Sequence, residues 1–496
     1  MAIKRYVAIA DNTITNQYNE ALSTRNTTGN AGLADSVEIF KIYGQVTSGT
    51  VEQSRVLIKF PVNETNLNSD IRTIKQDRDA NLIPASGSVS FYMRLSDVRH
   101  PDTVPKNFNL VAHPLTRDWS EGYGMDLDEY TDIGQSNWLS ASSTTAWSTA
   151  GGDYSTSSVY QQLFDTGLED FEVDVTSYVE GVLDGTLNSG SNYGFIVLLS
   201  SSHLADSNSY YTKKFSARGS EYFFNRPFIE ARWDSSIKDD RGNFYYSSSL
   251  APASENLNTI YLYNNIGGRL RNIPSIGTGS IYVSLYQSSA SAPSGSALSL
   301  VVDGTYVLSG ASTVVTGGYV STGIYSASVA ATGTAETLHD VWFSGSTQFH
   351  TGAIYPENRY AGSTTKTNDY YVSITNLKTS YNNTETARFR VYTRLKGWSP
   401  TIYTRAVAEP QLYIPTSGSY EIIRIIDDLK IIKHATGSIK YTELSFDASG
   451  SYFDLDMSIL EPGYSYGIKL AFYDDFISDY KPISEVFKFR VEKDET

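Results

Sequence analysis

The side chains best suited to chemistry gather between Asp118 and Tyr154, in the stretch DWSEGYGMDLDEYTDIGQSNWLSASSTTAWSTAGGDY. It offers two ligand chemistries. Asp126, Asp128, Glu129 and Asp132 place four carboxylates in one short run, and several hard oxygens on a flexible loop are what calcium takes. The run lacks the central Gly and terminal Glu of an EF-hand loop, so a solvated acidic loop is the competing reading. Trp119, Tyr123, Trp138 and Trp147 supply flat rings on which a sugar could stack, with Tyr130 and Tyr154 nearby. The competing reading is that these rings fill the end of a β core and staple a long loop.

Elsewhere the chemical signatures dissolve on inspection. Gly463-Tyr464-Ser465-Tyr466-Gly467 matches the string of a hydrolase nucleophile elbow, which needs a strand entering a helix. Here IKLAFY follows, a second strand pattern, so a β-turn is expected. The six His, at 100, 113, 203, 339, 350 and 434, show no zinc spacing, although His100 and His113 flank one loop. There is no cysteine, which removes thiol catalysis, disulfides and thiolate metal sites. No phosphate-binding or dinucleotide fingerprint occurs. Carboxylates are plentiful but none pairs distinctively, so no catalytic residue is named and no enzyme is expected.

The elements that must position these side chains read as strands. Ser36–Tyr43, Gln53–Val62 and Val89–Leu95 alternate apolar with polar positions. Residues 108–112, 171–175, 193–199 and 229–233 continue the set. One short helix is predicted from a capping-box pattern at Ser177-Tyr-Val-Glu180, ending at Asp184-Gly185. Around Lys238–Asn243 charge rises and apolar residues vanish, as in an interdomain linker. Further strands are expected at 259–263, 280–286, 297–302, 323–329 and 341–343, and then at 369–374, 387–395, 421–426, 429–434, 453–457, 467–472 and 486–491. IIRIID–DLKIIK also fits helical spacing, but the surroundings favour a hairpin at Asp427-Asp428. No fixed-period repeat is visible.

At 496 residues the chain exceeds one core. Its 37 Tyr among 13% aromatics favour strands and half-buried faces. The expected class is all-β and multidomain: a jelly-roll-like β-sandwich over 1–236, then two immunoglobulin- or fibronectin-III-like β-sandwiches over 237–365 and 366–496. A net charge of −15 disfavours nucleic acid and anionic membrane as partners. The N-terminal residues lack a signal-peptide pattern and no apolar run reaches membrane length, so a cytoplasmic origin is expected. Contacts with partner proteins are expected on the aromatic pairs Phe223-Phe224 and Tyr245-Tyr246.

Several motifs are shared with known families. Ala10-Asp11-Asn12-Thr13, Ser54–Phe60, Trp119-Ser-Glu-Gly122, Trp147 with Gly151-Gly152-Asp153, Phe171–Thr176 and Asn192–Phe195 occur in an order that resembles the DNRLRE-type β-sandwich. That resemblance covers about 220 residues and implies a glycan-binding or structural module. Leu183 stands where the family carries a helix Trp. Leu460–Tyr466 resembles the tyrosine corner of fibronectin type III domains. MAIKRYVAIADNTITN, Tyr210–Phe215 and the segment from Lys238 to Asn264 are similar to virion structural proteins of marine tailed phages. This implies a virion component assembled in the host cytoplasm, at the neck, tail or capsid. It would be present in multiple copies against other virion proteins, with a host surface glycan as the alternative partner and no cofactor beyond the calcium candidate.

Overall fold

The computed structural model describes residues 2–65, 67–68, 71–125, 129–248, 251, 253–287, 292–300, 312–356, 369–396 and 412–494. The protein is a multidomain all-β chain, with 42% of the described residues in strands and 8% in helices. It divides into two compact units. The first holds Met1–Asp234 with Ser438–Tyr441 and Ser458–Pro462, and the second holds the remainder.

Among the described residues the first unit has eleven strands: β1 (Ile3–Val7), β2 (Ala10–Thr15), β3 (Ser36–Tyr43), β4 (Val51–Lys59), β5 (Ser90–Leu95), β6 (Phe108–Pro114), β7 (Tyr160–Phe164), β8 (Phe171–Asp174), β9 (Phe195–Leu199), β10 (Tyr210–Ser216) and β11 (Phe228–Arg232). One sheet runs β1-β11-β5-β8. The other runs β10-β3-β4-β9-β6-β7, with β2 also on β4. β5 shows the expected alternation: Phe91, Met93 and Leu95 enter the core between the sheets, while Tyr92 and Arg94 point away.

The central strands depart from that pattern. On β4, Val56 and Ile58 face the inter-sheet core while Leu57 enters a separate cluster on the opposite face. On β9, Phe195, Val197 and Leu199 divide from Ile196 and Leu198 in the same way. A strand covered on both faces reads as a continuous apolar run, and VLI and FIVLL do. The cover on the second face is the tryptophan-bearing segment, so this region has three layers. β4 and β9 meet through a tight approach at Gly194. Its φ is +81°, and a Cβ there would collide with the Ile58 carbonyl.

The helix forms, but over Thr176–Leu183 and without the expected capping box: Val175 is its N-cap and makes no side-chain cap bond. Ser177 Oγ instead lies 2.9 Å from Tyr160 Oη. Its buried face carries Tyr178, Val179 and Val182. A capping box does occur, at Thr73 and Gln76, on a short helix Ile74–Asp79.

In the second unit, six strands form one sheet in the order Asn258–Tyr263, Ile324–Val329, Val315–Ser321, Ile281–Gln287, Leu338–Ser344 and Thr347–Ile354. Trp342, Tyr325, Leu285 and Leu300 lie in its core. Of the strand expected at 297–302, Ala297 and Leu300 make only isolated bridges, and 301–302 lie outside the described residues.

The C-terminal part carries two further sheets. Thr386–Leu395 is central to a four-stranded one, and Ser465–Asp474 to a six-stranded one. Phe389 of the first lies 5.7 Å from Phe489 of the second, and Phe453 stacks on Tyr420 at 4.2 Å, so aromatic rings fill the space between them. The IIRIID–DLKIIK segment is a hairpin: Ile422 pairs with Ile432, and Asp428 turns with φ +53°. Ser465 opens a strand, which removes the nucleophile-elbow reading.

The expected linker is not a free tether. Ile237–Asp239 runs parallel to Ser445–Asp447: Phe446 donates its amide to the Ile237 carbonyl at 2.9 Å, and Asp239 donates to the Phe446 carbonyl at 3.1 Å. Charge density misleads here because the charges are paired. Arg241 forms two bonds to the fully buried Asp340, at 2.8 and 2.6 Å, and Phe244 is fully buried.

Candidate functional site

The Trp119–Tyr154 stretch is long and polar, and its described residues are almost free of regular structure yet held in place. Trp119, Trp138 and Trp147 are each 6–7% exposed and pack with Leu57, Val111, Leu115, Ile196 and Leu198. Two of the indole nitrogens are also satisfied. Trp119 Nε1 donates to the Tyr193 carbonyl at 2.9 Å, and Trp147 Nε1 to the Asn137 carbonyl at 2.8 Å. Arg55 reaches from β4 through the layer, donating to the Gly151 carbonyl at 2.7 Å with its guanidinium 4.7 Å from the Trp138 ring centre. The Gly151-Gly152-Asp153 turn explains its own composition. Both glycines have positive φ, and Gly151 sits against Arg55 and Trp138. Asp153 accepts the amides of Ser148 and Thr149 at 2.9 Å and pairs with Arg117. Burial alone would raise its pKa, but these hydrogen bonds outweigh burial and lower it.

Buried asparagine side chains do the work that a ladder would do elsewhere. Asn12, fully buried on β2, donates to Ser136 and accepts the Ala31 amide at 3.0 Å. Asn30, also fully buried, donates to the Gly134 carbonyl and accepts the Gly124 amide, both at 2.8 Å. A Cβ on Gly122 or Gly124 would collide with Asn30, so these glycines permit the close approach. At the edge, Glu121 accepts the Asp11 amide at 2.9 Å and pairs with Arg218, while Asp11 accepts the Arg218 amide at 2.6 Å. Asp11 Oδ1 is buried with no hydrogen-bond partner. Burial, reinforced by Glu121, pushes the Asp11 carboxyl up to about 7.

This geometry corrects the sugar-platform expectation. Three of its four rings are inside, held there by the two-sided apolar sheet they cover, and only Tyr123, 67% exposed, is presented. For the ion candidate, Asp126 and Asp128 lie outside the described residues. Glu129 is exposed, and Asp132 accepts the Met125 amide at 2.8 Å. Among the described residues no group of three or more His, Asp or Glu is placed to hold a metal. His100 and His113 have separate surroundings: Asp102 at 3.4 Å for the first, and a stack on Tyr154 at 5.1 Å for the second.

The aromatic pairs expected to meet partners are half-buried in their own units. Phe223 and Phe224 pack edge to face at 5.2 Å, next to the exposed Tyr222. Tyr246 donates to the Ala335 carbonyl at 2.8 Å and packs on the core, and Tyr245 donates to Asn243.

Sequence reasoning missed two buried lysines of the first unit. Lys41 Nζ, on β3, is held by the His203 and Asp206 carbonyls at 2.6 Å and the Asp206 carboxylate at 2.8 Å. Lys213, on β10, pairs with Asp97 and the Gly167 and Glu169 carbonyls beside Phe164 and Phe215. Lys41 carried a readable signal, since it shares the inward parity of Val37 and Ile39.

No family model matches the chain, and no curated protein matches it. Among solved structures it is similar to the Yersinia pseudotuberculosis adhesin InvE, at 10% identity over 49% of this chain and 61% of that one, with a TM-score of 0.15. It is also similar to the native Escherichia coli alpha-2-macroglobulin, at 9% identity over 99% of this chain and 26% of that one, TM-score 0.16. The chain thus spans less than two thirds of either neighbour. Likeness at this level carries no argument about function.

Proposed function

We propose that the chain is a structural component of a tailed-phage virion: a rigid scaffold or presenting module, attached at the neck, tail or capsid in multiple copies and without an enzymatic role. The observation that carries this reading is the fate of the Trp119–Tyr154 segment. A stretch with the composition of a binding loop is spent on stiffness, with three tryptophans inside a third layer and its polar groups bonded to β2 and the 26–34 segment. The charged stretch near residue 240 is likewise locked, by the Arg241–Asp340 pair. Shape is what such packing maintains, and shape is what a particle component needs. The order of motifs shared with DNRLRE-type sandwiches and with phage virion proteins supports the same reading.

Peptide mass spectrometry of purified particles, followed by cryo-electron microscopy, tests it. The expected result is stoichiometric presence and density that fits the two units at a neck, tail or capsid position. Absence of the chain from infectious particles would refute the proposal.

A further inference from the structure

A strand at the rim of a sheet leaves alternate N–H and C=O groups unpaired, and another strand can add to them unless the edge is covered or charged. Several rims of this chain are closed in one of these ways. Along β10, Val98 donates to the Lys214 carbonyl at 3.1 Å and Ser216 to the Ser96 carbonyl at 3.0 Å. Gln162 on β7 reaches the Asp170 carbonyl and the Glu172 amide at the edge of β8, both at 2.6 Å. β1 carries Lys4 and Arg5. In the second unit, Asn258–Tyr263 is lined by the 240–241 turn: Thr259 donates to Asp240 at 2.7 Å and Arg241 to the Tyr261 carbonyl at 3.4 Å. Asp479–Pro482 is guarded by its own Lys481 and Pro482.

Thr347–Ile354 has neither kind of protection. Its eight residues, TQFHTGAI, end the six-stranded sheet and pair with Leu338–Ser344 along one side. Among the described residues none bonds to its other side. In a chain with 19% charged residues, 341–356 holds no Asp, Glu, Lys or Arg, and its one Pro, at 356, lies past the strand. The register shifts once, beside Phe349, and leaves His350–Ile354 as a regular run. That run is held in place. The Asp340 carboxylate, paired with Arg241, accepts the Gly352 amide at 3.0 Å, and a Cβ on Gly352 would collide with Arg241. A strand already ordered loses little entropy when another joins it. Two properties point to a second copy as the strand that joins. The chain carries a net charge of −15, so copies repel over much of their surfaces, and a charge-free rim is where they can approach. An antiparallel edge is also its own complement, because a two-fold axis beside it sets the donors of one strand against the acceptors of the other.

We propose that Thr347–Ile354 pairs antiparallel with the same strand of a second copy of this chain, joining two sheets into one. A single added strand is a small interface, so association in the micromolar range is expected. The pairing does not depend on the virion reading.

The test is sedimentation equilibrium of the full chain, from low micromolar to several hundred micromolar, with hydrogen exchange at both ends of that range. A monomer–dimer equilibrium is expected, and the amides of 347–354 should exchange more slowly at the higher concentration. Gln348→Lys combined with Thr351→Lys should weaken the dimer roughly tenfold or more, since it sets like charges along both paired strands. Tyr211→Lys makes the same kind of charge change on the covered strand β10 and should leave the dimer unchanged. Melting temperatures establish that the variants fold, and hydrogen exchange on the wild type carries the test if the double variant does not. A monomer throughout the range, a dimer that survives both lysines, or concentration-dependent protection that spares 347–354 would overturn the proposal.

Discussion

Asp11→Asn should stabilise the first unit at neutral and alkaline pH, and the gain should shrink as pH falls. Asp11 is 1% exposed, and its carboxyl is raised from 3.8 to about 7 in the folded protein. The shift raises an acid, so the sign is opposite to that of a salt-bridged carboxylate. Between the two pKa values the folded chain holds a proton that the unfolded chain has released, and stability falls as pH rises across that window. Below about pH 4 the effect is absent, and above about pH 7 it is complete. A shift of 7 less 3.8 is about 3 units, and at 1.36 kcal/mol per unit the ceiling is about 4 kcal/mol. Some water entry and movement of Glu121 or Arg218 will lower this, so a gain of about 2–4 kcal/mol is expected at pH 8. Asparagine keeps the acceptor for the Arg218 amide, which alanine would remove. The assay is denaturant unfolding followed by tryptophan fluorescence, because Trp119, Trp138, Trp147 and Trp233 report on this unit. Wild type and variant are compared at pH 8, 6 and 4.5. A variant no more stable than wild type at pH 8, or a gap that does not narrow toward pH 4.5, would refute the reasoning.

Other perturbations follow from the same geometry. Trp147→Ala should cost about 3–5 kcal/mol and open the 119–154 segment to limited proteolysis, since it removes a buried ring and the bond to the Asn137 carbonyl. Lys213→Met should lower stability by about 3–5 kcal/mol by leaving Asp97 unpaired, and the double variant with Asp97→Leu should recover part of the loss; a melting series checks both. Arg241→Ala should destabilise the second unit by a similar few kcal/mol, because Asp340 is fully buried. Arg241→Lys should rescue it only in part, since lysine cannot form both bonds at once. In the same unit burial raises Asp239 and Asp240 to about 6, so its melting temperature should fall as pH rises from about 4 to 6, and Asp239→Asn should flatten that slope.

Much of the scaffold was legible from alternation alone. The strand Ser90–Leu95 carries one apolar face, and a period of two needs no tertiary information to be seen. The hairpin at Asp427-Asp428 and the turn before Ser465 were readable for similar reasons, because polar turn residues separate two strand patterns. β2, with the sequence ADNTIT, was not readable. Four of its six residues are polar and buried; Ser136, Glu121 and Arg218 arrive from far along the chain to bond with Asn12 and Asp11, while Thr13 accepts the Glu38 amide and Thr15 donates to the Gln53 carbonyl.

The same division holds for function. Composition alone determined that thiol chemistry is absent, and that a tryptophan-rich polar stretch between strands must pack against something. Only the tertiary structure decided which side the rings take. The central strands β4 and β9 are apolar on both faces, and burying the second face draws the tryptophans in and leaves Tyr123 outside. The Lys214–Glu38 pair likewise has no sequence signature. Its members stand far apart along the chain and come together because they face each other in the register of β10 on β3. Local periodicity is written in neighbouring residues, whereas a site depends on which distant strands come to lie side by side.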